Sequence, residues 1–275
     1  MRKRRRILMT GASGIVGTFL RPLLLEEGYE LVSNSRRELK ELGEKETWVY
    51  GDVCDKDFVE AQVAGVDAVI HLASLVGEEY TFEQVMGPNV MGQWHILSSA
   101  HRHGKRLIYA SSHHAIGFQR RDGGPYGLGA PLRGDSPYGL SKAFSELMSQ
   151  YFWDRYGFPS LGLRIGSLAK EAIDERRVHT WMSPRDLLQQ VEIGLHHALK
   201  GHRVLYGQSE NPAPFFINDD RELDYRPADR ALDNLADPGL ANAGPDAEDP
   251  SSWFVGGYFA LSDAEGLAKG REEKT

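Results

Sequence analysis

The chain has 275 residues, 41% hydrophobic and 26% charged, which is enough for one sizeable core or a core with a small appendage. Its formal net charge of -7 gives no general attraction to nucleic acid, and no run approaches the roughly eighteen apolar residues of a membrane span. Cys54 is the only cysteine, which excludes an internal disulfide and a CxxC redox site.

A basic run at residues 2–6 leads directly into a short apolar stretch instead of a signal-peptide core, so we expect a soluble, cytoplasmic protein. The first half then alternates short β-branched runs with longer helical patterns. This alternation favours βαβ units and a parallel sheet covered on both faces. Strands are predicted at residues 6–10, 29–34, 47–51, 67–73, 106–112, 160–166 and 203–207, and a late helix at about 184–199.

The sequence TGASGIVG, residues 10–17, places three glycines between the first strand and the first helix. Glycine lets the backbone approach a pyrophosphate closely, and the N-terminus of the following helix favours that anion. The position of the turn after an N-terminal strand predicts dinucleotide binding, although glycines also serve ordinary tight turns. Further along, Asp52 either contacts the adenine or caps the helix that begins near Lys56.

The end of the second strand indicates which dinucleotide is bound. A carboxylate there holds the ribose hydroxyls of NAD, whereas arginine accommodates the 2'-phosphate of NADP. Residues 33–37 read SNSRR, and no acid occurs before Glu38. The Ser35 hydroxyl followed by Arg36 and Arg37 therefore favours NADP, with NAD as the alternative. Two solvated arginines at the start of a helix or loop are the other explanation of this pair.

A tyrosine and a lysine, Tyr138 and Lys142, lie four residues apart where Pro137 marks the first turn of a predicted helix. This spacing puts both side chains on one helix face. The helical pattern continues through the apolar positions Leu140, Phe144 and Leu147.

The glycine-rich turn, the serine pair in YASSHHAIG after the fifth strand and the tyrosine-lysine pair occur in that order. Together they resemble the extended short-chain dehydrogenase/reductase family, which includes the NAD-dependent epimerases and dehydratases, over residues 6–166. The resemblance implies an α/β fold with a Rossmann-type, doubly wound parallel sheet, in which residues 1–166 bind the dinucleotide and carry the catalytic pair. Residues 167–275 would form a smaller substrate-binding cap, interleaved with the first part into one compact unit.

The resemblance also implies that the Lys142 ammonium, with the positive oxidised nicotinamide, favours the phenolate of Tyr138. Tyr138 would take the hydroxyl proton of the substrate as hydride passes to the cofactor, while Ser112 holds the substrate oxygen. Asn89 either supports a proton-relay water or is an ordinary polar helix residue. The predicted cofactor contacts are Gly11, Ser13, Gly14, Ile15, Gly17, Ser35, Arg36, Arg37, Asp52, Val53, Leu72, Ala73, Asn89, Tyr138 and Lys142.

Downstream, the segments LRIGS, DERRVHTWMS, VLYG and VGGYFA follow in an order that resembles the uronate dehydrogenases of that family. This resemblance implies oxidation of a hexuronate at its anomeric carbon to an aldarolactone, with the Arg176 guanidinium fork binding the sugar carboxylate. A surface ion pair with Asp174 or Glu175 is the alternative role of Arg176. The predicted substrate contacts are Ser112, His113, His114, Tyr138, Ser167, Arg176 and Phe259.

Two departures leave the substrate open, because His113 stands where asparagine is expected and Val76 replaces a serine. A neutral aldose 1-dehydrogenase and a sugar-nucleotide epimerase are kept as alternatives. A non-catalytic NADP sensor is disfavoured, since both Tyr138 and Lys142 are present. No metal site is predicted, because His113 and His114 are adjacent on a strand and would point to opposite faces. The sequence does not give the oligomeric state, but the resemblance implies that pairing of subunits through long helices is possible, which would make a homo-oligomer.

Overall fold

The computed structural model describes residues 5–266 and contains a seven-stranded parallel sheet. The strands in chain order are β1 (Arg6–Thr10), β2 (Glu30–Asn34), β3 (Glu46–Val49), β4 (Ala68–His71), β5 (Arg106–Ser112), β6 (Ser160–Ile165), β7 (Ser167–Leu168), β8 (Trp181–Met182) and β9 (His202–Gly207). The sheet has the order β3-β2-β1-β4-β5-β6-β9, and β7 pairs only with β8. The seven predicted strands of the sheet are confirmed; four of them are one to three residues shorter than predicted, and β9 is one residue longer.

Helices cover both faces of this sheet. They are α1 (Ile15–Glu26), α2 (Lys56–Ala64), α3 (Phe82–Val85), α4 (Gly92–Arg102), α5 (Pro137–Tyr156), α6 (Glu175–Thr180) and α7 (Pro184–His196). One face packs against α1 and α7, and the other packs against α2, α4 and α5. Along β1, Ile7 and Met9 enter the first core while Leu8 enters the second, as the two-residue period of a strand requires. The doubly wound α/β fold is confirmed.

The sheet does not end at residue 166. The last strand, β9, pairs in parallel with β6, and α7 leads into it across the sheet face. The two predicted parts are therefore joined through one continuous sheet, while their separate roles remain a prediction. The outer ends of these parts, residues 1–4 and 267–275, lie outside the described residues.

Beyond β9 the chain runs through short 3₁₀ turns. The segment 233–252 is largely exposed; it contains the turn Pro238–Asn242 and ends within the turn Pro250–Trp253. The fully buried ring of Trp181 lies in a small apolar cluster with Ala172, Val178 and Ala231. This cluster holds the chain around Ala231, just before that segment. The segment that follows, up to Phe259, returns to the carboxyl edge of the sheet, where it meets the residues after β5.

A buried ion pair fixes α5 against β6. Arg164 on β6 donates to Glu146 on α5 at 2.8 Å, and both side chains are almost fully buried. The Ser111 hydroxyl donates to the same carboxylate, which ties the end of β5 to the pair. Removing one partner of such a pair would leave an uncompensated buried charge, so the arrangement holds β5, β6 and α5 in one register.

The predicted helix at Pro137 is confirmed as α5, but its apolar stripe does not enter the core. Leu140, Phe144 and Leu147 are 43%, 40% and 57% exposed. Trp94 on α4 extends this surface by stacking on Tyr151 of α5. The helical period was read correctly, while the side of the helix that faces the sheet is filled by small and polar residues. Among the described residues, no helix combines the length and apolarity that a membrane crossing needs.

Candidate active site

The predicted catalytic residues meet where β5 ends and α5 begins. Ser136 caps α5 by accepting a hydrogen bond from the Gly139 amide, and Pro137 fits the first turn, where its missing N–H costs nothing. The Lys142 ammonium donates to the Ala110 carbonyl of β5 at 2.8 Å, and it lies 5.6 Å from the centroid of the Tyr138 ring.

Burial dominates the electrostatics of this group. Tyr138 and Lys142 are only 6% and 5% exposed. Burial raises the pKa of Tyr138 to about 12, opposed by a hydrogen bond from the Ser112 hydroxyl and reinforced by the Asp135 carboxylate. Burial lowers the pKa of Lys142 to about 7. Lys142 alone therefore does not produce the phenolate, and a further positive charge beside Tyr138 is required.

Asn89 lies in a π-helical turn, Met86–Met91, between α3 and α4. Its amide nitrogen donates to the Leu75 carbonyl and to the Ser141 hydroxyl, each at 2.9 Å, and its oxygen accepts from the Leu75 amide at 2.8 Å. The side chain thus ties the loop after β4 to α5, which is a structural role. Its predicted part in a proton relay remains a prediction.

The glycine-rich turn forms a cradle that side chains would fill. Gly11 has a φ of +69°, and a Cβ there would lie 2.6 Å from the Ala73 nitrogen. A Cβ on Gly17 would lie 2.4 Å from the Ala12 carbonyl oxygen. Gly14 caps α1 with no side chain, and Ile15 beside it is 72% exposed. The residues present therefore fit a dinucleotide pyrophosphate at the N-terminus of α1.

The residues predicted to bind a 2'-phosphate, Ser35, Arg36 and Arg37, lie beside this cradle. Ser35 is buried and donates to the Arg37 carbonyl, while Arg37 donates to the Ser13 carbonyl at 3.1 Å. Arg36 pairs with Asp52 at 3.4 Å, and both side chains are substantially exposed.

Asp52 does not have the helix-capping role that was one of its two sequence-based alternatives. Asp52 does not cap α2, because Asp55 does so by accepting from the amides of Asp57 and Phe58. The side chain of Asp52 accepts instead from the Cys54 amide. Val53 is buried in the core beneath α4, and Leu72 and Ala73 line the cradle opposite Gly11.

The expectation that His113 and His114 point to opposite faces of a strand is wrong. The strand ends at Ser112, whose side chain accepts from the His114 amide and begins a 3₁₀ turn, His113–Ile116. Both rings consequently lie together, with centroids 4.2 Å apart. The described residues hold no group of three or more potential metal-ligating side chains close enough for an ion.

A carboxylate that the sequence reading missed lies behind His114. Asp135 contacts the His114 Nδ1 at 2.7 Å, and its side chain is fully buried. Burial raises the pKa of Asp135 to about 7 and holds the pKa of His114 well below its usual range. A Cβ on Gly117 or Gly256 would collide with this carboxylate, so two glycines make room for it. The Asp-Ser-Pro start of α5 reads as a simple cap, and only the fold reveals this contact.

Arg176 on α6 is the basic group of the site. Its acidic neighbours are used elsewhere, since Asp174 pairs with Arg177 and Glu175 pairs with Arg121. The surface ion pair considered for Arg176 is therefore not formed. Burial lowers its pKa to about 10, which leaves the guanidinium charged near neutral pH.

Two further predicted substrate contacts border the same space. The Phe259 ring stacks on His114 with centroids 4.0 Å apart and meets Tyr138 edge-on at 6.2 Å. Ser167 shares a hydrogen bond of 2.9 Å with the Thr180 hydroxyl at the end of α6. Residues from β5, α5, α6 and the late return segment therefore surround one region.

The profile of the NAD dependent epimerase/dehydratase family matches residues 7–190. The chain belongs to that family. This epimerase/dehydratase family member is 38% identical to the uronate dehydrogenase of Pseudomonas putida over 262 residues, which cover 94% of this chain and 96% of the other.

A solved structure shows the same likeness across the fold. A mutant uronate dehydrogenase from Agrobacterium tumefaciens, complexed with NAD, has a TM-score of 0.88 at 30% identity and covers 95% of this chain and 99% of its own. The L-arabinose 1-dehydrogenase (NAD(P)(+)) of Haloferax volcanii is less similar, at 29% identity over 82% of this chain and 97% of its own.

Proposed function

We propose that the protein oxidises a hexuronate at its anomeric carbon, with NAD(P) as the hydride acceptor, to give an aldarolactone. The observation that carries the proposal is a charged guanidinium, that of Arg176, whose acidic neighbours are engaged elsewhere. The similarity to uronate dehydrogenases over most of the chain supports the same substrate class. In this proposal residues 1–166 hold the cofactor, and residues 167–275 supply much of the substrate side in a cytoplasmic enzyme.

The contacts of Arg176 leave a suitable edge for a carboxylate. Its Nε donates to the Val255 carbonyl at 3.0 Å, and its Nη2 lies 2.7 Å from His113 Nε2. Within residues 5–266 no hydrogen-bond partner is shown for Nη1, so the edge formed by Nη1 and the outer hydrogen of Nη2 can take two carboxylate oxygens. Such a paired contact supplies both charge and orientation.

The catalytic residues have separate tasks. Ser112 and Tyr138, already hydrogen-bonded to one another, would both contact the anomeric hydroxyl, and Tyr138 would take its proton. Lys142 lies on the same face of α5 and would bind the nicotinamide ribose while opposing loss of the phenolate charge. The bound oxidised nicotinamide supplies the hydride acceptor. The stacked rings of Phe259 and His114 border the Tyr138 side chain.

A neutral aldose is the second candidate substrate. The similarity to an L-arabinose 1-dehydrogenase supports it, and the catalytic group would act in the same way. A neutral sugar would place only water or a hydroxyl against the free edge of Arg176, so the guanidinium charge would have no anionic partner in the substrate. A sugar-nucleotide epimerase is a weaker candidate, because two uronate dehydrogenases are each 38% identical to this chain over 94% of its length.

Replacement of Arg176 by methionine tests the substrate class. We expect the Arg176→Met variant to lose roughly 10²-fold in kcat/KM for galacturonate and glucuronate, because charge-assisted hydrogen bonds to the carboxylate are removed. Rates with arabinose and glucose should change little. Initial rates of nicotinamide reduction with all four sugars, for wild type and variant, measure both.

Arg177→Met is the matched control, because that neighbour on α6 is partly exposed and pairs with Asp174. It should leave the ratio of uronate to aldose rates unchanged. A wild-type enzyme that turns over only neutral sugars would refute the carboxylate assignment and keep the aldose alternative.

We also propose that NADP is preferred over NAD. The support is the pair of arginines after β2, with Arg36 only 3.4 Å from Asp52 and Arg37 beside the cradle. A 2'-phosphate would replace the weak, exposed contact of Arg36 with a stronger charge-assisted one. The NAD found with a solved relative favours the other dinucleotide in that protein.

The double substitution Arg36→Ser with Arg37→Ser should lower the ratio of kcat/KM for NADP to that for NAD by about 10-fold or more, since both donors to the 2'-phosphate are lost. Steady-state kinetics with each dinucleotide measure the ratio. Arg226→Ser, at an 82% exposed side chain, is the control and should leave it unchanged. A wild-type ratio below one would contradict the proposed preference.

The exposed apolar face of α4 and α5 is proposed to pair with a second copy of the chain. Its side chains include Trp94, Phe144, Leu147 and Tyr151, which form one continuous aromatic and aliphatic surface. A monomer rarely leaves such a contiguous apolar surface in water. Two copies related by a twofold axis would bury it as a four-helix packing.

Leu147→Lys should shift the protein from dimer to monomer, because it places a charge in the middle of the proposed interface. Sedimentation velocity at micromolar concentration measures the two species. Leu232→Lys, at another exposed leucine, should leave the association unchanged. Wild-type protein that sediments as a monomer would contradict the proposed pairing.

A further inference from the structure

The guanidinium of Arg176 is held by a histidine that the sequence reading assigned to the substrate. The Arg176 Nη2 lies 2.7 Å from the Nε2 of His113, a residue that is 4% exposed. A guanidinium can only donate hydrogen bonds. The Nε2 atom of His113 must therefore be the acceptor and carry no proton.

This requirement fixes the chemical state of the ring. A neutral imidazole that accepts at Nε2 carries its proton on Nδ1. Burial, together with His114 and Arg176, holds the pKa of His113 well below its usual range. The neutral state with a single tautomer is thus the one that this contact uses.

The contact determines which edge of the arginine faces outward. The Val255 carbonyl accepts from Nε and His113 accepts from Nη2, so these two guanidinium nitrogens are already engaged. Gly257 packs against the arginine stem, where a Cβ would lie 2.8 Å from both Cδ and Nε. The guanidinium plane is therefore held on one side by three fixed groups, and its remaining edge has a defined direction.

We propose that His113 is a positioning residue that holds Arg176 in the orientation needed to bind the substrate carboxylate. The inference rests on the proposed uronate oxidation, and it replaces a direct contact between His113 and the sugar. His113 acts through Arg176, so its loss affects recognition of the carboxylate and leaves the transfer of hydride and proton intact.

A purely structural role would have a different consequence. The His113 ring also packs against the tilted ring of His114, with centroids 4.2 Å apart, and stacks on Phe216 at 6.0 Å, so it fills space in the core. His113→Phe keeps a flat ring in this stack and removes only the acceptor. His113→Gln removes the ring and keeps an oxygen that can accept from Arg176.

The experiment measures KM and kcat for galacturonate and for arabinose with these variants. His113→Phe should raise KM for galacturonate about 10-fold or more, the loss expected for a hydrogen bond to a charged group, with little change in kcat. Its KM for arabinose should stay within about twofold of wild type, a change too small to reflect a lost hydrogen bond. In His113→Gln the KM for galacturonate should lie much closer to the wild-type value than it does in His113→Phe.

His179→Phe is the matched control. His179 lies on α6, is partly buried and, like His113, stacks on a phenylalanine, here Phe215. The variant should leave the ratio of the two KM values at the wild-type level. Equal KM for galacturonate in His113→Phe and wild type would overturn the inference, and so would an equal rise in KM for both sugars. A wild-type enzyme without uronate activity would overturn both the proposed function and this inference. The variant results above would overturn the inference alone, so the two failures can be told apart.

Discussion

The burial of Tyr138 beside Lys142 depends on how α5 is held against the end of β5. Lys142 donates to a carbonyl of that strand, and the ion pair of Glu146 with Arg164 fixes the same helix to the next strand. Because both side chains are removed from water, the pKa of Tyr138 is raised and the pKa of Lys142 is lowered, so that burial favours the neutral form of each. The pair is then sensitive to any charge that is brought beside it.

This sensitivity links the cofactor side of the molecule to the chemistry. The glycine cradle before α1 and the catalytic group after β5 lie at the same carboxyl edge of the sheet, which is where ligands bind in open α/β folds. A positive charge from an oxidised nicotinamide, added to that of Lys142, would lower the pKa of Tyr138. The substrate side is built differently, because Arg176 is oriented by His113 and by the backbone near Val255, which come from distant parts of the chain.

The sheet and the shared helix face of Tyr138 and Lys142 could be predicted from the sequence because they depend on local patterns. Short apolar runs predicted every strand of the sheet, and the spacing of Tyr138 and Lys142 predicted one helix face. The turn at His113–Ile116 could not be predicted, since it depends on a single hydrogen bond from the His114 amide to Ser112 that ends the strand. The contact of Asp135 with His114 likewise needs the fold to bring two glycines around a carboxylate. Periodicity found α5 but could not tell which of its faces meets the sheet.

We propose that Tyr138, buried beside the positive charges of Lys142 and the oxidised nicotinamide, removes the proton of the substrate hydroxyl. The most direct measurement is the pH dependence of kcat/KM for sugar oxidation in wild type and in Tyr138→Phe. The wild-type rate should rise with pH through an apparent pKa well below about 12, the value to which burial raises the pKa of Tyr138. Tyr138→Phe should lose roughly 10²- to 10⁴-fold in rate, together with that rise, while still binding the dinucleotide. A variant that retained most of the turnover and the same pH profile would contradict the account.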